Sequence, residues 1–118
     1  MEKIAFKVQG SAPEPYNTDF SRTGTYIAAY CSCPAGKVGQ LCKHRLSILQ
    51  GNTKGIVSGN DGEVQTVTSW VKGTDVENVL RQFHEAEKRF DEAKKQLDAQ
   101  KRRLARSLMI GSKSRMPE

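Results

Sequence analysis

This chain of 118 residues lacks any apolar run approaching the ~18 residues that a membrane-spanning helix needs. Its first residues, MEKIAFKVQGS, lack the apolar stretch of a secretory leader. Neither a membrane partner nor export is expected, and the compartment expected is the cytoplasm, or the nucleus in a eukaryote. Catalytic signatures are missing as well: there is no G-x-S-x-G, no phosphate-binding G-x4-G-K-[ST], no G-x-G-x-x-G and no H-E-x-x-H. No enzyme activity and no small-molecule substrate are therefore expected. Apolar residues are scarce, at 36%, with a single tryptophan. A core this modest needs another source of stability. Cysteines number only three, an odd count that does not suit a closed disulfide framework.

What the chain has is concentrated between Tyr30 and Leu49, YCSCPAGKVGQLCKHRLSIL, which holds all three cysteines and one of the two histidines. Cys31 and Cys33 are two apart, and Cys42 and His44 repeat that spacing after an eight-residue loop. C-x-C-x8-C-x-H supplies three thiolates and an imidazole in two close pairs, the donor set of a tetrahedral Zn²⁺ site. TYIAAY before Cys31 favours a strand, and residues two apart on a strand share a face. Pro34 ends that strand, and Gly36 and Gly39 let a loop turn back. A helix is expected over Arg45–Gln50, closed by Gly51-Asn52, with Cys42 and His44 straddling its first turn. Three thiolates and Zn²⁺ carry one net negative charge, which Lys37, Lys43 and Arg45 would offset.

At these residues the chain resembles the SWIM-type zinc finger, through Cys31-Ser32-Cys33-Pro34 and Cys42-Lys43-His44 followed by apolar positions. The resemblance covers roughly residues 1–50. It implies a ββα zinc module, with Cys31, Cys33, Cys42 and His44 as ligands, and a partner that is DNA or another protein.

The alternation Ile4, Phe6, Val8 predicts a first strand. The stretch SAPEPYNTDFSRTG, with Pro13, Pro15 and Gly24, reads as a long loop. Its Tyr16 and Phe20 either fold onto the sheet or, with Arg22, face a ligand. The second strand is placed around Thr25–Ser32, antiparallel to the first, and the core is built from Ile4, Phe6, Val8 and Ile27 under Leu46, Ile48 and Leu49. Glycine-rich residues 51–62 read as a connector with a short extended piece at Ile56-Val57. Residues 63–72 favour a short helix ended by Gly73, with a hairpin as the alternative. Trp70 there is a packing anchor or, less simply, a base-stacking residue.

Thr74 and Glu77 mark a helix start, and no glycine or proline follows until Gly111. Val76, Phe83, Phe90, Leu97 and Leu104 recur every seven residues, and Val79 opens a weaker companion seam of Ala86, Ala93, Gln100 and Ser107. This is coiled-coil character, and such a seam calls for a second copy or a partner helix. His84, beside Glu85 and Glu87, has no ligand companion and reads as a surface residue.

The expected class is thus α+β: a zinc module over 1–51, a connector over 52–73, a heptad-bearing helix over 74–110 and a disordered basic tail over 111–118. Lys and Arg total 19 against 13 acids. That balance suits polyanions, nucleic acid first, and equally serves solubility. Candidate phosphate contacts are Lys37, Lys43, Arg45, Lys101, Arg102, Arg103, Arg106, Lys113 and Arg115. Two functions follow: a zinc module binding nucleic acid, DNA first, with a helix for self-association, or an adaptor whose helix docks on a protein.

Overall fold

The computed structural model describes residues 1–111 of the chain. The tail expected over 111–118, with Lys113 and Arg115, lies outside the described residues except for Gly111. The fold is α+β: a three-stranded antiparallel sheet, then helices, the last of them long. Contacts divide the chain into one unit, Met1–Asn78, and a second beginning at Val79.

Strands β1 (Glu2–Val8), β2 (Tyr16–Thr23) and β3 (Tyr26–Cys31) lie in the order β1-β2-β3. This corrects the two-strand expectation. The stretch read as a loop contains the central strand, and β3 pairs with β2, not with β1. Polar residues such as Asn17, Asp19, Ser21 and Arg22, behind two prolines, hid β2 from a propensity reading. Its inward positions Thr18 and Phe20 are both fully buried, so a period of two was present but carried by one hydroxyl and one ring. A two-residue loop, Gly24-Thr25, joins β2 to β3, and Gly24 supplies the positive φ of 63° that such a turn needs.

Register sets what each row of the sheet's inner face presents. Ile4, Phe20 and Ala29 form one row, and Phe6, Thr18 and Cys31 the next. The face therefore passes from hydrocarbon to thiol within one strand spacing. Phe6 and Phe20 meet edge to face at 6.2 Å between ring centres.

Helix α1 (Pro34–Lys37) occupies part of the expected loop, and α2 (Lys43–Leu49) starts two residues before its expected place. Helix α3 (Glu63–Val71) is the short helix favoured over a hairpin, and Gly73 beyond it has φ 78°. It does more than connect, because Val64, Val67 and Trp70 join Ile4, Phe6, Val8, Phe20 and Ile48 in one core. Ile27 and Leu49 are only partly buried against that core, and Leu46 is half-buried. The extended piece exists as a single bridge from Ile56 to Val8, with Val57 N–H donating to the Lys7 carbonyl at 2.8 Å. The Arg22 guanidinium lies 5.3 Å from the Trp70 ring centre and pairs with Glu2.

Helix α4 runs Asp75–Arg106 and continues as a π-helical turn, Ser107–Gly111, so the regular α-helix stops short of the expected residue 110. Its start differs in detail from the expected capping box. Glu77 accepts from the Gly73 N–H at 2.9 Å, while the Thr74 hydroxyl donates to the Val71 carbonyl at 2.6 Å. Helix α4 has no buried residue.

Trp70 is 5% exposed and central to the packing of α3. Trp70→Ala is expected to cost about 3–5 kcal/mol of unfolding free energy, measured by urea denaturation. A change below about 1 kcal/mol, the range of surface substitutions, would contradict this core.

Candidate metal centre

Each ligand position is produced by a break between elements. Cys31 is the last residue of β3, where pairing with Thr18 ends. Pro34 then occupies the first turn of α1, and Cys33 becomes its N-cap, accepting the Gly36 N–H on Sγ at 3.3 Å. Cys42 is the N-cap of α2 and accepts the Arg45 N–H at 3.4 Å. His44 follows in the first turn of α2 and is buried. The expectation that Cys42 and His44 straddle a helix start holds. Cys33, expected on the strand, sits beyond it.

The four donor atoms lie within 4.8 Å of one another, and all four residues are buried. Cys31 Sγ and His44 Nδ1 are 3.7 Å apart. A tetrahedron built from Zn–S and Zn–N bonds of about 2.0–2.3 Å has edges of about 3.3–3.8 Å. Cys31 and His44 stand at that spacing, and all four donors are close enough together to share one ion. Three free thiols and an imidazole buried together, with no disulfide among them, fit a cation far better than a dry polar cluster.

Hydrogen bonds tune the sulfurs unequally. Burial pushes the Cys31 thiol up, partly offset by Thr18, whose hydroxyl lies 3.3 Å from that sulfur. Cys42 is buried too, which alone would raise it. The Arg45 backbone N–H and guanidinium, with the neighbouring thiols, outweigh burial and hold it below the usual thiol range. Burial, then the Lys43 charge, lowers His44, the direction that favours the neutral ring a metal ligand requires. With Nδ1 facing the thiols, Nε2 is buried without a hydrogen-bond partner among the described residues, and the Tyr16 ring lies 5.2 Å from the imidazole.

The basic residues expected around the ion divide. Arg45 turns inward: Nε donates to Cys42 Sγ at 3.4 Å, one terminal nitrogen to the Ala29 carbonyl at 3.3 Å and the other to the Gln40 carbonyl. It clamps the loop to β3, which leaves little of it for a phosphate. Lys37 and Lys43 are exposed beside the centre. Lys101, Arg102, Arg103 and Arg106 are exposed on α4, far along the sequence from it.

Reading the sequence missed Thr18 and Gly10, and gave Tyr16 and Gly36 no part in this site. Thr18 was findable from its two-residue spacing to Phe20, and Tyr16 from the same spacing to Thr18. The glycines act by what they leave out. A Cβ on Gly36 would stand 2.3 Å from the Cys31 carbonyl oxygen, and one on Gly10 would stand 2.7 Å from the Tyr16 ring and 3.1 Å from His44 Nε2.

No known protein family, curated protein or solved structure matches this chain.

Gly36→Ala must move backbone, whereas Gly10→Ala asks only a ring to yield. Competition with a chromophoric chelator should show Gly36→Ala lowering zinc affinity at least tenfold, about 1.4 kcal/mol. Gly10→Ala should lower it less, and Gly62→Ala, with open space around it, should not. Equal affinities for all three would refute the packing described.

Proposed function

We propose that this chain is a non-enzymatic binding protein in which a structural Zn²⁺ closes the amino-terminal body and α4 provides an association surface. Cys31, Cys33, Cys42 and His44 would hold the ion. Four protein ligands leave no open position for substrate, the mark of a structural site. When bound, the ion supplies a crosslink between the end of β3, the cap of α1 and the first turn of α2. The ligand order C-x-C-x8-C-x-H, split between a strand end and a helix start, supports the SWIM-type reading.

One observation carries the association reading. Helix α4 is 32 residues long with no buried residue, yet Phe90, Leu97 and Leu104 on its heptad seam, with Val79 on the companion seam, are 55–67% exposed. Apolar side chains at that spacing, open to water, favour a partner helix. Val76 and Phe83, nearer the start of the helix, are half-buried. Among the described residues no helix is long and apolar enough to cross a membrane, so the seam does not read as a lipid-embedded face.

A second reading, nucleic-acid binding, draws on Lys101, Arg102, Arg103 and Arg106, four exposed bases within two turns and no acid among them. That density exceeds what the helix dipole requires. Lys37 and Lys43 would add to it only if a nucleic acid reached the metal centre. The two readings are compatible in a dimeric binder.

Light scattering on the zinc-loaded chain is expected to give a dimer or higher species, and Phe90→Asp to shift it to monomer with zinc content unchanged. A strict monomer at high concentration would remove the association reading. Fluorescence anisotropy with short duplex DNA at low salt tests the second. Affinity should fall with salt at about 0.9 log unit per log unit for each phosphate neutralised. No binding at low salt would remove that reading.

A further inference from the structure

We propose that α4 pairs with α4 of a second copy of this chain in antiparallel orientation, centred on the Asp91–Glu92 peptide. This rests on the association reading and adds the partner's identity, direction and register. The argument starts from the sizes along the two seams. One carries Val76, Phe83, Phe90, Leu97 and Leu104, the other small or polar residues from Ala86 onward. In a parallel pair each seam residue faces its own copy. Phe90 would meet the partner's Phe90 and Ala93 the partner's Ala93, so layers too wide would alternate with layers too narrow. In the antiparallel pair one seam faces the other. Phe90 then meets the partner's Ala93, Leu97 the partner's Ala86, Leu104 the partner's Val79 and Phe83 the stem of the partner's Gln100, so no two large apolar residues of the first seam face each other.

Charge selects the same direction. Residues 76–91 hold four acids and three bases, and residues 92–107 hold two acids and six bases. Antiparallel pairing lays the basic half over the acidic half twice. Parallel pairing lays the basic half over itself.

The positions flanking the seams then fix the register. In the antiparallel pair Glu87 lies beside the partner's Lys94, once on each side of the two-fold axis. In a parallel pair Arg89 would lie beside the partner's Lys94, a like-charge contact made twice. Sliding the antiparallel pair one heptad in one direction brings Glu87 beside the partner's Glu87. Sliding it the other way brings Lys94 beside the partner's Lys94. The centred register alone has no like-charge contact at these flanking positions and overlaps the full length from Val76 to Ser107.

The test is sedimentation equilibrium of the full zinc-loaded chain at low salt, with circular dichroism confirming equal helix content. Wild type is expected to dimerise. Lys94→Glu and Glu87→Lys are each expected to weaken the dimer roughly tenfold, because two attractions become two repulsions. The double variant E87K/K94E is expected to recover wild-type affinity. A parallel pair predicts the opposite sign for Lys94→Glu, which would then strengthen the dimer by relieving Arg89. That result, or a dimer indifferent to both substitutions, overturns the orientation while leaving self-association intact. A chain that stays monomeric at every concentration overturns both.

Discussion

Three thiols and an imidazole share a pocket that is largely closed to water. Cys31 is fully buried, Cys33 and Cys42 nearly so, and His44 turns Nδ1 toward them. The sheet cannot avoid this arrangement, because the row of its inner face that carries Phe6 also carries Thr18 and Cys31. A cation among the four donors turns a costly polar void into a crosslink. Without one, the polar side chains that tie the start of α2 to β3 are Arg45, through the Ala29 carbonyl, and His44, against the Cys31 sulfur. Stability then becomes a matter of metal as much as of hydrocarbon. The apolar core, eight buried side chains around Phe6, Phe20 and Trp70, is small for the chain it must organise. Structural zinc in small modules contributes about 10–16 kcal/mol of apparent binding energy, comparable to the net stability of many larger domains.

The long helix answers a different constraint. Val76 and Phe83 of the seven-residue repeat are half-buried, but from Phe90 onward the fold places no demand on the apolar residues that α4 carries at that spacing. The run is rich in the strong helix formers Glu, Lys, Arg, Gln and Ala, with acids four residues ahead of bases, as at Glu85 and Arg89. Large apolar side chains on such a rod add solubility cost without adding internal packing. Their spacing is the ground on which association with another helix is proposed. Basic residues cluster toward the end of that rod, while those near the metal are partly absorbed into it, Arg45 most of all.

The sequence and the structure agree most closely where chemistry restricts the choices. The Cys/His cluster was legible because few other arrangements explain paired cysteine and histidine at matched spacing, α2 because Gly51-Asn52 marks its end, and α4 because no glycine or proline interrupts it. The central strand was not legible. Thr18 is an inward-facing residue with a polar side chain whose burial makes sense only once Cys31 is opposite it, a relation that the sequence separation conceals. Glycine roles were equally hidden. Gly36 looks like a loop residue, yet its missing side chain makes room for the Cys31 carbonyl. Arg45 looks like a surface cation, yet its three guanidinium nitrogens all face inward acceptors. For Thr18 and for the Arg45 contact with Ala29 the missing information was a contact with a residue distant in the chain, while Gly36 meets Cys31 across a tight local turn that composition does not specify.

The account turns on whether one ion sits among these four side chains. X-ray absorption at the zinc edge of purified, tag-free protein measures this directly. It should show one zinc per chain with three sulfurs at about 2.3 Å and one nitrogen at about 2.0–2.1 Å. A folded protein free of metal, or an ion surrounded by oxygen with fewer than three sulfurs, would contradict it.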